Sequence, residues 1–145
     1  LVGGGGGAPF ESAPPGAELV GVRVATTGYN GRDVIGCIEG LFRVDGSEVL
    51  GERAGEPRSA TTDLRAPQGW RVAGVIVAGS DRVDGLQLVF APLDRADDRI
   101  ELSRWIGSHR ERERLVGGRG VRIVGLHGRA GADVDALGLV GVPIR

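Results

Sequence analysis

A repeated segment is the feature that most constrains the fold of this 145-residue chain. Three stretches, Leu19–Val24, Val72–Val77 and Ile123–Gly128, share a pattern in which a small or aliphatic residue, a glycine and another aliphatic residue follow one another. After each stretch come a short polar loop, an aspartate and an apolar run. Because self-similarity at a fixed period is typical of folds built from copies of one unit, the sequence predicts three internal repeats of about 50 residues.

The spacing of the repeated glycines and aspartates supports this reading. These residues are Gly21, Gly74, Gly125, Asp33, Asp84 and Asp135. Successive aspartates are 51 residues apart, and the glycines follow nearly the same period. The first repeat carries slightly more residues between its glycine and its aspartate, which indicates a longer first loop.

The repeats have the pattern of β-strands. Val75 and Val77, like Leu86 and Leu88, alternate with small or polar residues at period two, and glycine accounts for 27 positions. Glycine at this density suits tight β turns and closely approaching sheets. We therefore expect a single all-β domain over residues 1–145, with three sheets around a pseudo-threefold axis. Only Asp94–Leu115 leaves an alternative open, since a helix competes there with edge strands and a charged loop.

Composition excludes several classes of function. The net charge of -1 gives no electrostatic footprint for nucleic acid, and no apolar run approaches the roughly 18 residues needed to insert into a membrane. The chain has no lysine, so Gly3–Gly7 cannot be a Walker-type phosphate loop. His109, His127 and the single Cys37 lack the spacing of metal ligands, and apolar neighbours predict that Cys37 is buried. We predict no cofactor, no metal and no catalysis.

The loop Gly131–Asp135 is the best candidate for a ligand-binding site in the sequence. A glycine, three residues and an aspartate before a strand allow successive backbone N–H groups and one carboxylate to face a single point. This arrangement suits sugar hydroxyls, which donate hydrogen bonds to the carboxylate and accept hydrogen bonds from the backbone amides. The alternative is that Asp135 merely caps its own turn.

Two motifs resemble those of the jacalin-related lectins. Gly3–Phe10 is similar to their N-terminal GG-x-GG-x-x-F pattern, and Ile123–Gly138 is similar to their C-terminal I-x-G-F-x-G-R-x-G-x-x-x-D-A-I-G pattern. The chain has Leu126 in place of the aromatic residue. The resemblance implies a β-prism I of three four-stranded antiparallel sheets and a non-catalytic, carbohydrate-binding function for mannose- or galactose-type glycans.

The resemblance also implies where the sugar would bind. The primary site would comprise the glycine-rich N-terminal loop and the loop before the last repeated strand: Gly6, Gly7, Gly131, Ala132, Asp133, Val134 and Asp135. In that site the Asp135 carboxylate would accept hydrogen bonds from sugar hydroxyls, while the backbone N–H groups of Asp133 and Val134 would donate hydrogen bonds to the sugar. A weaker second site would use the corresponding loop of the middle repeat: Asp81, Arg82, Val83 and Asp84.

The absence of methionine and the start at Leu1 indicate a segment of a longer protein, for which a secreted or cell-surface location is favoured. Attached domains and homo-oligomers are compatible with this reading. Two further functions stay open. One is a protein-interaction or structural β-prism that has lost sugar binding, and the other is a targeting module attached to a hydrolase.

Overall fold

The computed structural model describes residues 1–109 and 112–144, and this part of the chain contains thirteen strands and no helix. The strands are β1 (Val2–Gly3), β2 (Ala8–Ser12), β3 (Glu18–Tyr29), β4 (Arg32–Val44), β5 (Ser47–Gly55), β6 (Thr62–Arg65), β7 (Trp70–Gly79), β8 (Val83–Pro92), β9 (Glu101–Leu102), β10 (Ile106–Gly107), β11 (Glu113–Gly117), β12 (Val121–Ala130) and β13 (Val134–Pro143). The described residues therefore include no helix that could span a membrane.

The strands form three antiparallel sheets. Sheet I has the order β5-β4-β3-β6, sheet II the order β10-β8-β7-β11, and sheet III the order β1-β13-β12-β2. Each sheet is built around one long hairpin, β3–β4, β7–β8 or β12–β13, and shorter strands pair with its outer edges. The predicted all-β architecture of three four-stranded sheets is confirmed, with the difference that the short strand β9 adds a fifth member to sheet II.

One hydrophobic core joins the three sheets. Its fully buried members come from every central hairpin, and they include Val24, Ile38, Val77, Leu88, Leu126 and Leu137. Alternating residues of the hairpin strands face this core, which is the arrangement that the period-two pattern predicts. Cys37 is also fully buried, as expected, and burial raises the pKa of its thiol.

The repeated glycines occupy similar places in the three sheets. Gly21, Gly74 and Gly125 each follow a register shift in the central hairpin. A Cβ atom at these positions would lie 2.2, 2.6 and 2.6 Å from a carbonyl oxygen of the neighbouring edge strand. Only glycine lets each edge strand approach the bulge this closely.

The alignment of the repeated aspartates needs a correction. A second register shift in each hairpin leaves one residue of the returning strand without a partner, and this residue is Asp135, Asp84 or Gly36. Asp33 instead pairs with Gly28, nearer the tip of the first hairpin. The prediction that Asp33 is equivalent to the other two aspartates is therefore wrong, because the longer first hairpin moves the bulge to Gly36.

The segment Asp94–Leu115 forms edge strands, not a helix, among its described residues. It contributes β9, β10 and the start of β11, while Trp105 stacks on His109 with ring centroids 4.1 Å apart. Positions 110 and 111 of the expected charged loop lie outside the described residues. Three short edge strands thus complete sheet II.

Candidate functional site

The strand order of sheet III brings the two predicted sugar-binding loops together. Because β1 pairs with β13 and β2 pairs with β12, the segment between β1 and β2 has to cross the tip of the β12–β13 hairpin. The Gly4 N–H donates to the Asp135 carbonyl oxygen at 2.9 Å, which fixes the start of this crossing. A Cβ atom at Gly131 would lie 3.7 Å from the Gly7 Cα atom. The loops therefore converge.

Two glycines lie where the N-terminal segment passes the Asp135 carboxylate. A Cβ atom at Gly6 would lie 3.1 Å from Oδ1 of Asp135, and one at Gly7 would lie 2.6 Å from Oδ2. Gly7 also has a φ of 66°, a backbone conformation that is strained for residues with a side chain. The carboxylate thus occupies the space that side chains at these two positions would fill.

The Asp135 carboxylate is half-buried and has no partner among the described residues. Across residues 1–109 and 112–144, no donor forms a hydrogen bond or ion pair with it. The backbone N–H groups of Ala132 and Asp133 likewise donate no hydrogen bond within that part of the chain. Gly131 and Ala132 are exposed. The site is therefore an open surface that offers an anionic acceptor beside unused amide donors.

The Asp133 side chain forms ion pairs with two arginines from other parts of the chain. Its Oδ2 lies 2.7 Å from Nη1 of Arg82, and its Oδ1 lies 3.8 Å from Nη1 of Arg58. The Arg82 guanidinium stacks in turn over the Tyr29 ring at 3.5 Å. Side chains from all three central hairpins are therefore linked in series, which leaves only the backbone of Asp133 available to a ligand.

Backbone hydrogen bonds further fix the loop Gly131–Asp135. The Ala132 carbonyl oxygen accepts from the Glu56 N–H at 3.0 Å, and the Gly131 N–H donates to the Asp133 carbonyl oxygen at 3.0 Å. Val134 is fully buried in the core, so its side chain anchors the start of β13. The loop is consequently held in place before any ligand arrives.

Arg129 is a residue of the site that sequence reasoning missed. Its Nε donates to the Gly6 carbonyl oxygen at 3.1 Å, and its Nη2 donates to the Gly7 carbonyl oxygen at 2.8 Å. The guanidinium thereby clamps the glycine-rich segment onto β12. The only signal in the sequence is its place within the C-terminal motif, since a strand arginine is otherwise read as a solvated side chain.

The structure does not bring the proposed second-site residues to one open surface. Val83 and Asp84 are fully buried, and the Asp84 carboxylate lies 3.2 Å from Nη2 of Arg32. The Asp81 backbone packs against Gly4, and Arg82 is engaged by its ion pair. At the bulge position of the middle loop, Asp84 is therefore buried and paired, whereas Asp135 at the same position of the third hairpin is partly exposed.

Comparisons with known proteins give a consistent picture of the fold. No protein-family model and no curated protein matches this chain. Among solved structures, wild-type Malaysian banana lectin has 20% identity and a TM-score of 0.72, over 98% of this chain and 94% of that one. AcmJRL, a mannose-binding jacalin-related lectin from Ananas comosus, has 17% identity and a TM-score of 0.76, over 99% and 95%. The chain has the jacalin-related lectin fold.

A third jacalin-like structure extends this likeness. Artocarpin in complex with mannotriose has 14% identity and a TM-score of 0.75, over 97% of this chain and 93% of that one. The predicted jacalin-like fold is thus confirmed over nearly the whole chain. At these identities the jacalin-like backbone is what the proteins share, so the chemistry of the site has to be argued from the residues of this chain.

Proposed function

We propose that this jacalin-like chain is a non-catalytic carbohydrate-binding domain with one primary site at Asp135. The observation that carries the proposal is the half-buried Asp135 carboxylate, which has no partner in the described part of the chain and lies against Gly6 and Gly7. An acidic side chain held this way costs desolvation without any compensating bond from the protein. A ligand with hydroxyl donors would supply the missing bonds.

Sugar hydroxyls fit this arrangement because each one donates and accepts. Two neighbouring hydroxyls would donate to the two Asp135 oxygens in short, charge-assisted bonds, and their lone pairs would accept from the N–H groups of Ala132 and Asp133. The open surface offers few further contacts to a single sugar ring. We therefore expect a monosaccharide to bind with a Kd of about 1 mM, or roughly 4 kcal/mol, so that useful avidity requires several sites.

Mannose-type sugars are the first ligands to test. AcmJRL is described as mannose-binding, and artocarpin has been solved with mannotriose. We carry this preference to the present chain as part of the proposal, with galactose as the comparison sugar. Glycans would then be its partners, and the fold would serve as a rigid frame for the two loops.

The proposal includes a single domain over residues 1–145 that is made of three repeats. The register shifts at Gly21, Gly74 and Gly125 support it, because each central hairpin bends at the same point along its length. The repeats have diverged at their hairpin tips, since Asp135 of the third lies beside the glycine-rich crossing segment whereas the equivalent Asp84 of the second is buried and paired with Arg32.

Calorimetric titration with methyl mannoside and methyl galactoside tests the proposed function. Wild-type protein should bind one of the two sugars, and Asp135→Ala should reduce affinity at least about tenfold. Asp33→Ala is the matched control, since Asp33 is an exposed hairpin aspartate outside the site, and it should bind like wild type. Equal affinity in wild type and Asp135→Ala, or no binding to any sugar, would refute the assignment.

A further inference from the structure

A second charged surface lies at the opposite end of the prism from the candidate sugar site. Arg71 stands near the start of β7 and Arg119 in the turn before β12, whereas the sugar site is at the far end of β12. Because β12 has 10 residues at about 3.3 Å each, the two ends are roughly 30 Å apart. A ligand at one end therefore cannot touch the other.

A cleft of about 250 Å³ opens at this end, and three of its lining side chains are arginines. Its lining residues are Arg71, Pro92, Arg95, Arg119 and Gly120. The cleft brings together segments from the ends of β7 and β8 and from the turn between β11 and β12. Arg71 and Arg119 thus bring two guanidinium groups to one small cleft.

Neutral backbone groups hold two of these arginines in place. Arg71 donates from Nη1 to the Val121 carbonyl oxygen at 3.1 Å and from Nη2 to the Arg119 carbonyl oxygen at 2.6 Å. Arg119 donates to the carbonyl oxygens of Asp97 and Arg99. These bonds orient the guanidiniums without neutralising them, and each guanidinium has further N–H donors to offer a ligand.

Two carboxylates lie near Arg71 and Arg119. Glu18 and Asp97 are close enough to act electrostatically on Arg71 and Arg119, respectively, but neither forms an ion pair with them in the described part of the chain. Asp97 is instead held by Arg99 at 2.6 Å. Burial, together with the positive charges of Arg119 and Arg95, lowers the pKa of Arg71.

We propose that this cleft is a binding site for an oxyanion of the phosphate or sulfate type. Arg71 and Arg119 would donate hydrogen bonds to its oxygens from orientations that are already fixed. Guanidinium groups suit such oxyanions because their N–H donors form a planar fork. The site is independent of sugar binding at Asp135.

Titration with inorganic phosphate, followed by amide and arginine Nε signals in ¹H–¹⁵N NMR spectra, tests the site. We expect the Gly120 amide and the Arg119 side-chain signals to shift with a Kd of about 1 mM at low salt, and inorganic sulfate to do the same. Chloride at matched ionic strength should leave them unchanged. Affinity should fall as sodium chloride is added, because salt screens the guanidinium charges.

Three variants make the test specific. Arg119→Gln should weaken phosphate binding at least about tenfold. Arg71→Lys keeps the positive charge and is used in case the Arg71 hydrogen bonds are essential for folding. It should weaken phosphate binding several-fold, because lysine lacks the planar fork of donors. Arg53→Gln removes an exposed arginine of β5 and should have no effect. The proposal is overturned if phosphate causes no shift, or if Arg53→Gln weakens binding as much as Arg119→Gln.

A second arm identifies the source of the oxyanion. Glucose 6-phosphate that binds at least as tightly as inorganic phosphate, while glucose alone causes no shift, supports a phosphate group carried on a larger molecule. Weaker binding of the sugar phosphate supports a free ion. Failure of sugar binding at Asp135 leaves these expectations unchanged, so the two proposals stand or fall separately.

Discussion

Replacement of Arg82 by alanine should destabilise the prism and loosen the candidate sugar loop. The substitution removes the 2.7 Å bond to Asp133 and the stacking over the Tyr29 ring at 3.5 Å. The Arg82 and Asp133 side chains are 19% and 16% exposed, so this is a mostly buried ion pair. The Asp133 carboxylate would be left with Arg58 at 3.8 Å as its nearest cation.

The magnitude follows from the burial of the pair. Removal of one partner of a buried ion pair costs about 3–5 kcal/mol, and partial exposure together with the remaining Arg58 contact brings the expected loss to about 3 kcal/mol. For a chain of this size that loss corresponds to a fall in Tm of roughly 10 °C. The double variant Arg82→Ala/Asp133→Ala leaves no uncompensated buried charge and should recover about 1–2 kcal/mol of the loss.

Urea denaturation followed by circular dichroism measures these differences in the free energy of unfolding. The proposed role of Arg82 is refuted if Arg82→Ala lies within about 0.5 kcal/mol of wild type, the range expected for an ordinary surface change. It is also refuted if the double variant is less stable than Arg82→Ala alone. Sugar titration of the same proteins, at a temperature where all are folded, should show weaker binding in both variants.

Three further predictions concern glycine positions and an ion pair. Gly7→Ala should cost about 1–3 kcal/mol in unfolding assays and abolish sugar binding in calorimetry, because the new Cβ would overlap the loop at a positive φ; binding like wild type would contradict this. Gly125→Ala should cost about 1–3 kcal/mol in urea denaturation, whereas Gly118→Ala, with open space around it, should be neutral; equal effects would contradict the bulge argument. Arg23 hydrogen-bonds to Asp63 at 2.8 Å and lowers the pKa of that carboxyl, so its stabilisation is present above the unfolded pKa of about 3.9 and is lost as pH falls through the folded pKa. Urea denaturation between pH 7 and pH 3 should therefore show a smaller pH-dependent loss of stability for Asp63→Asn than for wild type, and identical profiles would exclude this contribution.

The repeat pattern was sufficient to predict three similar β-sheets because each copy keeps the residue types that its own sheet requires. Gly21, Gly74 and Gly125 are recognisable since each needs to be glycine for a local reason, the close approach of an edge strand. The jacalin-like motif likewise marked Asp135 and the glycines that make room for it. Such constraints leave a signature in residue type and in spacing.

Contacts between repeats leave no comparable signature. Equal spacing suggested that Asp33 matches Asp84, but the register depends on hairpin length and places Gly36 at the bulge. The ion pair between Arg82 and Asp133 joins two hairpin tips whose meeting depends on how the sheets pack. The sequence therefore predicted the loop but not the ion pair that the Asp133 side chain forms with Arg82.

A crystal structure of the protein soaked with methyl mannoside would show directly whether Asp135 binds a sugar. We predict one sugar at the tip of the β12–β13 hairpin, with two hydroxyl oxygens at about 2.5–2.8 Å from the Asp135 carboxylate oxygens and with Gly6 and Gly7 against the ring. Electron density for the sugar at another place on the prism, with water alone at Asp135, would contradict it.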